Sequence, residues 1–193
     1  IVKKAVHLIS LDDNRNFKLL SPVHMDSNDE RQRVHEMFVP GDHQDCGGSW
    51  YIKGIPDCSC KCMQEFLEDA GISFISNKDL HPDSLELKDD PDVKIDKKDL
   101  DMAPDPSAQI HQTKDQLQKP SYRPVVTVTN EEIIKGGTVR IHLSVLQHMA
   151  AMEKLGTPYP INPRIKDTDL VVVGPLDKPL EAETKRLKEL LAR

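Results

Sequence analysis

The chain has 193 residues, of which 37% are hydrophobic, 4% aromatic and 30% charged, with fourteen prolines and a formal net charge of −6. So few large apolar side chains are too few for one well-filled core, and the composition leans toward small cores with long connections. The acidic balance argues against nucleic-acid binding through a basic face, because that affinity comes mainly from Lys and Arg neutralising phosphates.

The N-terminal stretch opens with "KKAVHLISL", where Ala5, His7 and Ile9 alternate with Val6, Leu8 and Ser10, a strand pattern. "SNDERQRVHEMFVPG" predicts a helix: Ser27 with Glu30 three residues on makes a capping box, acids lead into Val34, Met37 and Phe38, and Pro40-Gly41 end it. Gly47-Gly48 marks a turn, "SWYIKG" a strand, "CMQEFLEDAG" a short helix closed by Gly71, and "ISFIS" a further strand.

From His81 to Tyr122 the chain carries ten acids against six lysines, five prolines, no glycine and one aromatic. Such a stretch buries too little apolar surface to offset about 1–2 kcal/mol of backbone entropy per residue, so an extended arm ordered by a partner is expected. Its Leu85, Leu87, Val93, Ile95, Leu100, Met102, Ile110 and Leu117 are natural anchors, with Val93 and Ile95 suited to adding a strand to a partner's sheet.

Beyond the arm, strands over 124–129 and 138–143 are expected as a hairpin turning at Gly136-Gly137. "SVLQHMAAMEKLG" follows as a helix with Ser144 as N-cap and Gly156 as C-cap. The Pro-rich "TPYPINPRI" must be extended, "DLVVV" is a buried strand, and a terminal helix buries Leu180, Leu187 and Leu191. No apolar run nears the roughly 18–20 residues of a membrane span; the longest, Asp169 to Leu176, is broken by Gly174 and Pro175. Nothing at the start resembles a secretory leader, and a start at Ile1 is expected of a processed or trimmed polypeptide.

All four cysteines lie within "HQDCGGSWYIKGIPDCSCKC", residues 43–62. Read as a strand, Cys58, Cys60 and Cys62 share one side, and His43 with Cys46 returns toward them across the Gly47-Gly48 turn. Those five donors suit tetrahedral zinc, although the spacing departs from the Cys-x2-Cys knuckles of zinc fingers. Disulfides through Cys46 and buried, unpaired thiols are the alternatives.

"PDCSCKCMQEFLEDAGISFIS" resembles the second half of the zinc deaminase motif, in which a Pro-Cys-x-x-Cys supplies two thiolates and a His-x-Glu supplies a ligand and a proton shuttle. The resemblance spans about 21 residues and departs from the family in three places. Asp57 separates Pro56 from Cys58, the thiols are two or four residues apart, and Glu36 directly follows His35. It implies a zinc-dependent hydrolase or deaminase-like enzyme. His142-x-Ser144 resembles one half of the paired histidine motif of certain phosphodiesterases, without a second copy. Glu131-Glu132 and the "VVVGP" turn read as solvated acids and a connection.

The expectation is therefore an α+β protein of two small lobes, 1–80 and 123–193, joined by an acidic, Pro-rich arm over 81–122. Its expected role is a structural or adaptor subunit of a virion or large ribonucleoprotein-type assembly. It would be intracellular or virion-associated, bind other protein subunits and no membrane, and have a zinc-stabilised first lobe.

Overall fold

A computed structural model describes residues 3–13, 33–49, 53–81, 97–111, 128–129, 132–133, 138–166 and 168–193. Four strands, β1 (Ala5–Ser10), β2 (Val34–Val39), β5 (Val139–His142) and β6 (Leu170–Val173), form one parallel sheet in the order β1-β2-β5-β6. A separate two-stranded pairing joins β3 (Val128–Thr129) antiparallel to β4 (Glu132–Ile133). The helices are α1 (His43–Gly47), α2 (Ile55–Asp69), α3 (Leu143–Lys154) and α4 (Glu181–Leu191).

The expected helix over 27–39 ends as strand β2 where it is described. Val34, His35, Glu36, Met37, Phe38 and Val39 pair with all six residues of β1, from Ala5↔Val34 to Ser10↔Val39. Alternating side chains then serve both faces: Phe38 joins one core and Met37 the other. A helix would present one stripe and leave half of these apolar groups in water, so two-sided burial makes residues 34–39 a strand. Ser27 and Glu30 lie outside the described residues, as do Trp50, Tyr51 and Ile52 of the expected "SWYIKG" strand.

β5 pairs with β2 and β6, both parallel, while residues 124–127 and Gly136-Gly137 of the expected hairpin lie outside the described residues. Residues from the stretches expected as two lobes therefore share one sheet. Ile9, Leu11 and Phe38 from the first pack with Ile141, Val145, Val172 and Leu187 from the second. Burying each such side chain contributes about 1.5–3 kcal/mol, so the two stretches gain by sharing one core.

α3 and α4 cover one face of the sheet, through Val145, Leu146, Leu187 and Leu191. α2 covers the other, its Cys62 and Phe66 meeting Met37 and Val173. The terminal helix buries Leu187 and Leu191 as its periodicity predicts. α2 begins at Ile55, earlier than expected, because Pro56 falls in the first turn where a missing N–H costs nothing. After Gly71 (φ +90°), residues 72–76 run without turn, bend or a described sheet partner, so the expected "ISFIS" strand is not paired among the described residues.

Candidate functional site

All four sheet strands end on the same edge, at Ser10, Val39, His142 and Val173. In open parallel sheets this carboxyl edge is where ligand-binding loops collect. Two side-chain networks occupy it.

The first joins the β1 and β2 loops. Asp12 accepts the Gly41 N–H at 2.7 Å and pairs with the Tyr159 hydroxyl. Asp42 caps α1 by accepting the N–H groups of Gln44 (2.8 Å) and Asp45 (2.9 Å), and Asp45 returns the bond to the Asp42 N–H. Gly41 is required here: its φ is +110°, and a Cβ would lie 2.5 Å from Asp45 Cβ. Burial raises the Asp12 pKa to about 7, against the opposing hydrogen bonds of Tyr159 and Gly41. Burial also raises that of Asp45, whose side chain is fully enclosed and bonded to His111 Nδ1 at 2.5 Å.

That histidine belongs to a strap, described over residues 97–111, that lies along α1, α2 and α3. Lys53 donates to the carbonyls of Lys98 and Asp101, and the Ala103 N–H donates to Asp57 at 2.6 Å. His148, 1% exposed, donates from Nδ1 to the Pro106 carbonyl at 2.6 Å. Gly54 (φ +112°) lets the strap approach so closely that a Cβ there would meet Ala108 Cβ at 2.5 Å. This part of the expected partner-bound arm is thus fastened to its own chain. Residues 82–96, with Val93 and Ile95, and 112–120 lie outside the described residues.

The second network lies on the α2 side of β5 and β6. Arg140 donates to Asp177 Oδ1 at 2.6 Å and to its carbonyl at 2.8 Å, while His35 Nδ1 lies 3.0 Å from Asp177 Oδ2. These bonds hold a turn in which Leu176 (φ 55°) and Asp177 (φ 61°) are both left-handed, a conformation costing about 1 kcal/mol or more per residue. Glu36 points to the opposite face, where it meets His7 at 2.8 Å.

The Ser144 N–H, which can only donate, faces His142 Nδ1 at 3.3 Å, and Ser144 Oγ lies 2.8 Å from the same atom. Nδ1 is therefore the acceptor and the neutral ring carries its hydrogen on Nε2. Burial pulls the His142 pKa down to about 4, partly offset by the charge of Asp177. So weak a base takes little of a serine proton, and the pair acts as the N-cap of α3, with His142 rather than Ser144 in the cap position. Between α2, the strap, the start of α3 and Pro175 lies a crevice of about 300 Å³.

The cysteines are on helices. On α2, Cys58 and Cys62 are one turn apart and buried, whereas Cys60 points the other way and is exposed, so the row of three thiols expected of a strand does not form. Burial pushes the Cys58 thiol up to about 11 and Cys62 up to about 12, and raises Cys60 as well. Thiols held protonated are poor nucleophiles. His43 and Cys46 sit on α1, and the Cys46 thiol donates to the Leu8 carbonyl at 3.5 Å. No disulfide joins the four cysteines, and among the described residues no group of three or more His, Cys, Asp or Glu is placed to hold a metal ion.

Asp12, Asp45, His111, Tyr159 and Asp177 were not singled out from the sequence. The available signal was an acid just past a strand, as in "ISLDD" and "FVPGD", which gains meaning only once the strands are parallel and end together. No protein-family model, curated protein or solved structure matches the chain. Among the described residues, no helix is long and apolar enough to cross a membrane.

Proposed function

We propose that this chain is a non-catalytic subunit of a larger protein assembly, and that it meets its partner through the surface formed by residues 72–76 and 100–102. The carrying observation is the exposure there of Ile72 (49%), Phe74 (48%), Ile75 (69%), Leu100 (42%) and Met102 (38%). Asn77 donates to Asp101 and ties the two stretches together. Single exposed apolar residues are ordinary, but five on two linked stretches, one of them without a sheet partner among the described residues, are the pattern of a recognition surface.

The occupant this surface suits is the edge of a partner's sheet. Main-chain bonds to residues 73–75 supply affinity, and the flanking apolar groups supply register. Because residues 97–111 are held by their own chain, support for an assembly role rests on this surface instead of on a free arm, with Leu100 and Met102 still serving as anchors. Cys58 and Cys62 act in this reading as packing residues beneath α2.

The test places a photo-crosslinking amino acid at Phe74, or at Lys185 on the exposed face of α4 as the control, in the native cell. A discrete adduct from position 74 that is absent from 185 and lost in Ile72→Asp/Ile75→Asp is the expected result. Equal adducts from both positions, or none from 74, defeat the proposal.

A further inference from the structure

The crevice beside α3 plays no part in that assembly surface, and its walls combine two kinds of chemistry. Pro104 and Pro106 of the strap, Pro175 and the one-turn pair of Cys58 and Cys62 are apolar or weakly polar. At the same mouth stand Lys61 and Glu65, opposite charges one helical turn apart on α2, and neither makes an ion pair with a described residue. Glu and Lys at this spacing commonly pair. Here the cation and the anion are both left available, beside a half-open volume between the walls. His142 lines the same space and, with Nδ1 committed to Ser144, has Nε2–H as its donor.

A volume of about 300 Å³ is at the lower end of small-molecule sites, which run from about 300 to 1,000 Å³. It is too small for a dinucleotide. A simple anion would leave Glu65 unmatched, and a simple cation would leave Lys61 and the His142 N–H unmatched. We infer that the crevice binds a free α-amino acid with an apolar side chain. Lys61 and His142 Nε2–H take the carboxylate, Glu65 takes the ammonium group, and the proline and cysteine wall takes the side chain. The strap closes this site from one side, fastened at Gly54 just before α2, at Asp57 on α2 and at His148 on α3.

The test is calorimetric titration of the full chain with L-leucine, with 4-methylpentanoate, which lacks the amine, and with 3-methylbutylamine, which lacks the carboxylate. Leucine is expected to bind at about 1 mM or tighter, the affinity that nine heavy atoms can supply, and each analogue about tenfold or more weaker. Lys61→Gln should weaken leucine and 4-methylpentanoate but not the amine, and Glu65→Gln should do the reverse. Lys61 is exposed and Glu65 partly so, so both variants should fold, as circular dichroism will verify. Absence of leucine binding, equal binding of an analogue, or wild-type affinity in both variants would overturn the inference. None of these outcomes bears on crosslinking at Phe74.

Discussion

Asp12 is the group whose ionisation the fold opposes most clearly, and replacing it with asparagine measures that opposition. Its ordinary value is 3.8 and the folded protein holds it at about 7. Between those values the folded chain binds more protons than the unfolded one, so this group's contribution to stability is complete below about pH 4 and is lost as pH rises through about 7. At 1.36 kcal/mol per pH unit the full effect is about 4 kcal/mol, and because Asp12 is only partly buried, solvent screening brings it to about 2 kcal/mol. In Asp12→Asn, Oδ1 can accept the Gly41 N–H while Nδ2 donates to Tyr159, reproducing the neutral acid. Urea unfolding should find variant and wild type alike near pH 3.5, diverging from about pH 4 upward, and the variant more stable by about 2 kcal/mol near pH 8. A difference independent of pH, or one growing toward acid, would refute the reasoning.

Ile141 is fully buried where β5 meets β2, so Ile141→Ala should cost about 2–5 kcal/mol and lower hydrogen-exchange protection in β1 as well as β6. Loss confined to β5, β6 and α4 would mean that the two halves keep separate cores. Maleimide labelling of the native chain near neutral pH, followed by peptide mass spectrometry, should modify Cys60 well before Cys58 and Cys62, whose thiols are buried and held at about 11 and about 12. Equal labelling of all three would contradict the helical placement of α2.

Local pattern was enough for several elements. The alternation of "AVHLIS", the β-branched run of "LVVV", and the one-turn spacing of Leu187 and Leu191 each report a periodicity that the residues carry wherever they are placed. Gly71, with φ +90° just past the end of α2, is also readable in isolation, because a left-handed position after a helix favours glycine whatever packs nearby.

Whether "VHEMFV" became helix or strand was decided by β1, which offered six paired residues and two faces for burial. Whether Cys58, Cys60 and Cys62 formed a row or split around a helix was decided by the sheet under α2, against which Cys62 and Phe66 pack. The carboxyl-edge networks came last: Asp12 with Tyr159, 147 residues apart, and Arg140 with Asp177 meet only because parallel strands bring their ends together. Spacing along a chain encodes which face a side chain takes within one element, while the partner across that face is set by long-range pairing that no local period records.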